Sequence, residues 1–229
     1  MKVLVVDDDL ALADVVTFTL RRAGYDVIVA HDGIAALDRW KNESPDLIVL
    51  DLNLPKMDGL SVCRQIRVQD NTPIIILSVR GEEDDIVTGL KLGADDYIVK
   101  PFSPRQLIAR AEAVMRRVSD APPALEKLTI GDLTLDRSRF QLFYGEEVIT
   151  NLTTLECRLL EVLMLNRDQV VLADYLIDRV WGPGGGDKSM LKQLVYRLRR
   201  RMEAHPVKPA NIETVPGVGY SLVIAIKNK

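Results

Sequence analysis

The residues that could do chemistry stand at the ends of four short apolar runs in the first half of the chain. One run, Leu47–Leu50, ends at Asp51, and the others end at the acidic cluster Asp7–Asp9, at Ser78 and just before Lys100. Clustered carboxylates favour a hard divalent cation, usually Mg²⁺ where phosphate is involved. An aspartate bridged to that metal can attack phosphorus and form an aspartyl phosphate. Lys100 would give the phosphoryl oxygens a positive partner, and Ser78 would donate a hydrogen bond.

A single aspartate after an apolar run is more often a helix cap or a turn residue than a reacting group. Four polar strand ends together favour the chemical interpretation, because ligand sites of open parallel sheets form outside the carboxyl ends of the strands. We therefore expect these side chains to converge on one site, although they are scattered along the sequence.

The first half alternates apolar runs with amphipathic windows, which is typical of a βα repeat. The predicted strands lie at 2–6, 26–30, 46–50, 73–77 and 95–99, and the last helix lies at 104–117. This spacing predicts an α/β fold, with five parallel strands in a flavodoxin-like, doubly wound sheet. Proline and small polar residues at 119–126 predict a linker between a first domain at 1–118 and a second at 127–229.

The second half has the pattern of a winged helix-turn-helix domain of the α+β class. Short strands between 128 and 143 predict a small antiparallel sheet. Three helices are predicted at 153–166, 172–181 and 188–204, and the alternating segment 212–223 predicts a terminal hairpin with glycines at its tip.

The helix predicted at 188–204 separates apolar from basic positions. Its apolar face carries Leu191, Leu194, Val195, Leu198 and Met202. That periodicity predicts that this face packs in the core. A basic opposite face is often only solvated, but in a helix-turn-helix it lies in the major groove and contacts bases and phosphates. The predicted DNA-binding residues are Lys188, Ser189, Lys192, Gln193, Tyr196, Arg197, Arg199, Arg200 and Arg201.

Composition limits the remaining possibilities. The net charge of −3 argues against a generally basic protein, yet seven Lys or Arg against one Glu between 188 and 208 form a local basic patch. No apolar stretch is long enough to span a bilayer and no signal-peptide pattern begins the chain, so we expect a cytoplasmic protein without membrane contact. Cys63 and Cys157 fall in amphipathic helical patterns, which predicts small buried hydrophobes.

The first half resembles a two-component receiver domain. The resemblance rests on the segments VVDDD at 5–9, LDLNLPKMDG at 50–59, ILS at 76–78 and DDYIVKPF at 95–102. It implies that Asp51 accepts a phosphoryl group from a sensor histidine kinase. It also implies a Mg²⁺ ion held by Asp7, Asp8, Asp51 and the backbone carbonyl of Asn53.

The same resemblance assigns roles to further positions. Lys100 is implied as the partner of the phosphoryl group. Ser78 and Tyr97 are implied as a switch pair, in which the hydroxyl turns toward the phosphate and the aromatic ring moves inward. Asp9 is expected to begin the next helix, where a carboxylate interacts favourably with the helix dipole.

The second half resembles the DNA-binding domain of the OmpR/PhoB class of response regulators, through LTTLE at 152–156, VWG at 180–182, LRRRME at 198–203 and TVPGVGY at 214–220. The resemblance implies a transcription factor and not an enzyme. It implies that the phosphorylated protein forms a homodimer and binds tandem half-sites in promoter DNA. RNA polymerase is a further expected partner, through the glycine-rich turn at 184–186.

The dimer interface implied by the resemblance is made of ion pairs between subunits. Its charged positions match Asp95, Asp96, Arg110 and Arg117. One departure from the family pattern concerns this interface. Ile86 and Gln106 stand where another ion pair is common, which weakens the expectation of a symmetric dimer.

A second departure concerns the wing. Pro216 and Ser221 stand where arginines are common in the wing, which predicts weaker minor-groove contact and a smaller dependence of DNA binding on salt.

Two rival functions fit part of the sequence. A phosphatase with an aspartyl phosphate intermediate would use the same Asp51, Mg²⁺ and Lys100, but its usual motif has a second aspartate where Asn53 stands. A phosphorylation-independent DNA-binding regulator would use the receiver only for dimerisation. The costly cluster of like charges at Asp7, Asp8 and Asp51 argues against that alternative.

Overall fold

The computed structural model describes residues 1–79, 83–119, 127–182, 185–206 and 210–224. The chain forms two compact units, Met1–Arg116 and Arg117–Lys229. Apart from Ser119, the predicted linker at 119–126 lies outside the described residues. Within the described residues, no helix has both the length and the apolar character needed to cross a membrane.

The first unit is an α/β sandwich. Its strands are β1 (Lys2–Val6), β2 (Asp26–Ala30), β3 (Leu47–Asp51), β4 (Ile74–Val79) and β5 (Asp96–Lys100). Its helices are α1 (Leu10–Arg22), α2 (Gly33–Glu43), α3 (Gly59–Gln69), α4 (Glu83–Leu92) and α5 (Pro104–Ser119). All five strands are parallel and lie in the order β2-β1-β3-β4-β5. The predicted flavodoxin-like fold is therefore confirmed, and the last three strands begin one residue later than predicted.

The central strands form the core of this unit because they are apolar at successive positions. All five residues of β3 are buried, as are residues 3–6 of β1. Strands buried on both faces have continuous apolar sequences rather than alternating ones. Helix α1 begins after Asp9, whose carboxylate accepts hydrogen bonds from the backbone N–H groups of Ala11 and Leu12 at 3.0 and 3.1 Å. The predicted helix start at Asp9 is thus confirmed.

In its described residues, the second unit combines two antiparallel sheets with three helices. One sheet contains β6 (Lys127–Ile130), β7 (Leu133–Asp136), β8 (Gln141–Tyr144) and β9 (Glu147–Asn151). The helices are α6 (Thr154–Leu165), α7 (Ala173–Trp181) and α8 (Lys188–Glu203). The other sheet contains β10 (Val171–Leu172), β11 (Ala210–Val215) and β12 (Gly219–Ile224), in the order β10-β12-β11.

This arrangement is a winged helix-turn-helix, as the sequence predicts, with β11 and β12 as the wing hairpin. Strand β9 was not predicted, because it is an edge strand without a buried apolar alternation. A capping box begins α6: Thr153 accepts a hydrogen bond from the N–H of Glu156, and the Glu156 carboxylate accepts one from the N–H of Thr153.

Candidate functional site

The register of the parallel sheet brings the predicted site residues together. Val6 of β1 pairs with Leu50 of β3. Asp7 and Asp51 are the residues that follow this pair, so they lie side by side. Val79 pairs with Lys100 at the ends of β4 and β5. The polar strand ends therefore share the carboxyl edge of the sheet. They lie beside the boundary between β1 and β3, where the strand order reverses.

Three carboxylates form a cluster at this edge. Asp7, Asp8 and Asp51 each place a carboxylate oxygen within 4.8 Å of the others. Asp7 is fully buried, Asp51 is 5% exposed, and Asp8 is exposed. An all-oxygen donor set of this charge fits a hard divalent cation such as Mg²⁺, which would relieve the repulsion between the carboxylates. Asn53 lies beside the cluster, and its backbone N–H donates a hydrogen bond to Oδ1 of Asp51 at 3.3 Å.

Lys100 connects two of these carboxylates. Its Nζ donates to Oδ2 of Asp7 at 2.9 Å and to Oδ2 of Asp51 at 2.7 Å. Burial alone would lower the pKa of Lys100, but its hydrogen bonds to Asp51 and Asp7 and their charges raise the pKa above its ordinary value. Lys100 therefore stays an ammonium ion at neutral pH.

Asp7 has the opposite electrostatic balance. Burial disfavours its charged form and raises its pKa above the ordinary value, although Lys100 and the N–H of Asp9 favour the carboxylate. Ionised Asp7 is thus held at a cost in free energy, and a divalent cation beside it would reduce that cost.

The predicted switch residues lie on the two strands next to the cluster. Ser78 is 1% exposed, in register with Val99 of β5, and its hydroxyl donates to the carbonyl of Val79 at 3.4 Å. Tyr97 is partly buried on β5, in register with Ile76. Ser78 on β4 thus lies between β3, which ends at Asp51, and β5, which ends at Lys100, and Tyr97 lies on β5 itself.

The first residue of α3, Gly59, is a site feature that the sequence did not predict. A Cβ atom on Gly59 would lie 2.2 Å from the carbonyl oxygen of Asp51, which is far inside van der Waals contact. Only a glycine lets α3 begin this close to the acidic cluster. A glycine after Asp58 predicts only a turn from sequence, so its closeness to Asp51 could not be inferred.

The structure corrects part of the predicted dimer interface. Asp95 is buried and forms an ion pair of 2.8 Å with Arg67 of α3. Asp96 is fully buried and forms an ion pair of 2.5 Å with Arg110 of α5 in the same chain. Both carboxylates are buried within their own chain, where each connects β5 with a neighbouring helix, so neither is exposed for the expected ion pair with a second subunit. The dimer itself stays a prediction. The Arg117 side chain lies outside the described part of the structure.

The structure also corrects two predicted DNA contacts on α8. Gln193 is 9% exposed and Arg197 is 7% exposed. Nε of Arg197 lies 3.5 Å from Oε1 of the buried Glu156. The apolar periodicity of α8 marks the centre of its buried face but not the width of that face. A buried glutamate at the capping-box position of α6 needs a cationic partner, and Arg197 fills that role.

Two more predicted contacts, Arg199 and Arg201, are partly buried and bind groups within their own unit. Arg201 donates to the carbonyl of Asn151 at 2.9 Å, and its Nε lies 3.2 Å from Oε1 of Glu156. Arg199 donates to the wing hairpin. These arginines therefore help to hold α8 in place.

The remaining predicted residues of α8 are exposed. Lys188, Lys192, Tyr196 and Arg200 follow at intervals of four residues, and Ser189 lies beside them. We call the first four the exposed stripe. The guanidinium of Arg200 lies over the ring of Tyr196, 6.0 Å from its centroid. This stripe is a polar, basic helix face of the kind that enters a major groove.

Comparison with known proteins agrees with this geometry. The family "Response regulator receiver domain" matches residues 3–112, and "Transcriptional regulatory protein, C terminal" matches residues 145–222. The alkaline phosphatase synthesis transcriptional regulatory protein PhoP of Bacillus subtilis is 41% identical over 231 residues, covering 96% of each chain. The sensory transduction protein RegX3 of Mycobacterium tuberculosis is 43% identical over 223 residues, covering 96% of this chain and 98% of its own.

The chain belongs to the OmpR/PhoB class of response regulators.

Two solved structures match along nearly the whole chain. A RitR mutant matches with a TM-score of 0.76 and 27% identity, covering 96% of this chain and 98% of its own. DrrB of Thermotoga maritima, described as an OmpR/PhoB homolog, matches with a TM-score of 0.51 and 29% identity, covering 97% and 98%. The two family matches and the relatives make this response regulator a DNA-binding transcription regulator.

Proposed function

We propose that Asp51 accepts a phosphoryl group from a sensor histidine kinase and that this change controls promoter binding by the second domain. The observation that carries the proposal is the convergence of three carboxylates and Lys100 at one edge of the receiver sheet. In the transfer, a carboxylate oxygen of Asp51 attacks phosphorus while the bond from phosphorus to the donor breaks. Lys100 exchanges its ion pair with Asp51 for one with the transferred group.

Asp7, Asp8 and Asp51, with the backbone carbonyl of Asn53, are the residues that would hold Mg²⁺. When bound, the ion neutralises the carboxylates and offers a positive partner to the phosphoryl oxygens. Asp9 shapes this set, because its N–H donates to Oδ1 of Asp7 at 3.0 Å while its own carboxylate caps α1. The chain thus orients the buried carboxylate before any ligand arrives.

The phosphoryl group acts as a switch through Ser78 and Tyr97. The Ser78 hydroxyl leaves its long hydrogen bond to Val79 and donates to a phosphoryl oxygen, and the Tyr97 ring moves inward. Activation then favours a homodimer, to which Arg110 contributes at the partly exposed surface of α5. The dimer binds two half-sites in tandem, about one helical turn of DNA apart.

The exposed stripe of α8 carries the proposed DNA contact. Lys188, Lys192 and Arg200 contact phosphates or base edges, and Tyr196 and Ser189 lie where they can contact bases. Contact of the 184–186 turn with RNA polymerase and a cytoplasmic location stay predictions.

The phosphoryl step is tested by intact-protein mass spectrometry after incubation with phosphoramidate and Mg²⁺. The wild type gains the mass of one phosphoryl group, and the Asp51→Asn variant gains none. Asp58→Asn is the matched control, because Asp58 is an exposed helix cap whose role an asparagine can fill. Labelling of Asp51→Asn at the wild-type rate would overturn the assignment of the acceptor.

The coupling of the two domains is tested by selecting bound duplexes from a random library, with and without beryllofluoride and Mg²⁺. We expect enrichment of a direct repeat only when the phosphoryl mimic is present. Equal enrichment in both conditions would instead support the alternative, a phosphorylation-independent DNA-binding regulator.

A further inference from the structure

Arg199 connects α8 to both strands of the wing hairpin. Its Nε donates to the carbonyl oxygen of Ile212 at 2.7 Å, and its Nη2 donates to Oγ1 of Thr214 at 2.7 Å. Its guanidinium also lies over the ring of Tyr220, 5.9 Å from the centroid. Ile212 and Thr214 belong to β11 and Tyr220 belongs to β12. One planar side chain, with several donors in fixed directions, therefore holds the hairpin against α8.

The tip of this hairpin carries no charge. Residues 215–221 read VPGVGYS, and the exposed positions at the turn are Pro216, Gly217 and Val218. Val218 is 43% exposed. Such a tip can contact a DNA groove only through apolar atoms and backbone groups, which act at short range. A short-range contact forms only if the tip is held at the right distance from the groove.

Arg199 and Arg200 are adjacent arginines of α8 in different surroundings. Arg200 is exposed and belongs to the exposed stripe, whereas Arg199 is partly buried and faces the hairpin. An arginine that releases counterions from DNA steepens the salt dependence of binding, but one that bonds only within the protein does not. The pair thus offers an internal comparison between contact and positioning.

We propose that Arg199 is a positioning residue that fixes the neutral wing tip relative to the exposed stripe, so that hairpin and helix engage DNA as one rigid surface. The wing contributes a contact that is independent of salt, and that contact depends on Arg199. This inference rests on the proposed DNA-binding function. A charged tip would be drawn to DNA by its own charge, whereas this neutral tip depends on Arg199 to hold it in place.

The test measures DNA affinity of the full chain across a range of salt concentrations, with beryllofluoride and Mg²⁺, on a duplex selected from a random library. Arg200→Ala lowers the slope of log affinity against log salt by about 0.9 for each bound subunit, the value for one lost phosphate contact. Arg199→Ala lowers affinity about tenfold, equivalent to about 1.4 kcal/mol, with an unchanged slope, because the hairpin is no longer held in position for its contact with DNA. Arg199→Lys keeps the charge but not the two directed bonds, and it does not restore affinity.

A double-mutant cycle separates positioning from general damage. Val218→Ser alone reduces affinity, and adding it to Arg199→Ala causes little further loss, because the tip is already misplaced. Thermal unfolding of each variant identifies any that fails to fold. If Arg199→Ala does not fold, Arg199→Lys, which retains the stem and the charge, takes its place in the cycle with Val218→Ser.

Three outcomes would overturn the inference. A reduced salt slope for Arg199→Ala, equal to that of Arg200→Ala, would make Arg199 a phosphate ligand. Fully additive losses from Arg199→Ala and Val218→Ser would show that the tip does not depend on Arg199, and an inert Val218→Ser would show that the tip makes no contact. Wild-type protein without salt-dependent affinity for any selected duplex would overturn the DNA-binding function itself, and that outcome is recognised before any variant is compared.

Discussion

Nζ of Lys100 lies 2.7 Å from Oδ2 of Asp51 and 2.9 Å from Oδ2 of Asp7, so one ammonium ion neutralises parts of two carboxylates. The third carboxylate of the cluster, Asp8, lies at the exposed side. Among the described residues of the site, three carboxylates and one ammonium give an excess of negative charge. This imbalance favours the two proposed roles of the site, which are binding of a divalent cation and attack by Asp51 on an electrophilic phosphorus.

Replacing Lys100 by Ala should lower the free energy of unfolding by about 1–3 kcal/mol in the absence of divalent cations, because two largely buried carboxylates lose a charged hydrogen-bond partner. Urea unfolding with and without Mg²⁺ measures this effect. The cation should stabilise Lys100→Ala more than the wild type, since it replaces the missing positive charge. Equal stabilisation of both proteins would contradict the proposed neutralising role of Lys100.

Replacing Asp7 by Asn should stabilise the cation-free protein above about pH 4. The raised pKa means that folded Asp7 keeps its proton to a higher pH than the unfolded chain, whose carboxyl titrates near 3.8. The contribution of Asp7 to stability is therefore complete below 3.8 and is lost as the pH rises through the raised pKa. Unfolding free energies of the two proteins should converge at low pH and separate as the pH rises.

Magnesium should reverse the order of these two proteins. At a concentration 100 times the dissociation constant, a cation bound only to the folded state adds about 2.7 kcal/mol to the wild type. Asp7→Asn loses a buried carboxylate ligand and should gain much less. A variant that binds Mg²⁺ as tightly as the wild type would remove Asp7 from the metal site.

Replacing Gly59 by Ala should lower the free energy of unfolding by about 1–3 kcal/mol and slow phosphoryl acceptance, because the new methyl group overlaps the backbone carbonyl of Asp51. Gly89→Ala is the matched control. A Cβ there also lies 2.2 Å from its nearest atom, but that atom is the terminal methyl group of Ile76, which can move. Equal losses in both variants would show that closeness alone, and not the rigid carbonyl of Asp51, sets the penalty.

The sheet and its acidic edge could be predicted because the signals are local. Apolar runs define the strands, and the residue that ends each run must lie at the carboxyl edge of a parallel sheet. The positions of Asp7, Asp51 and Lys100 follow from that topology alone. Sequence reasoning therefore predicts which residues meet at this edge, although it gives neither their distances nor the pKa of Asp7.

The sequence predictions that were wrong concern mainly charged residues that long-range packing buries in the interior. Asp95 and Arg67 are separated by 28 positions, and nothing in the local pattern of either residue predicts their ion pair. Arg197 lies next to the predicted apolar face of α8, and it is buried beside Glu156 of another helix, which the local pattern of α8 does not reveal. A helical pattern shows where the apolar face is centred, but the neighbouring helices determine how far burial extends around it.

Two substitutions on α8 should distinguish a structural arginine from a DNA-binding lysine. Arg197→Ala removes a partner of buried Glu156 and should lower the free energy of unfolding by about 3 kcal/mol. Lys192→Ala alters an exposed side chain, so its effect on unfolding should stay within about 0.5 kcal/mol. Its effect on DNA should be larger, with a salt slope reduced by about 0.9 per bound subunit. Urea unfolding and salt-dependent DNA titration of both variants check the assignment. A stable Arg197→Ala protein with a reduced salt slope would return Arg197 to the DNA interface, as the sequence alone predicted.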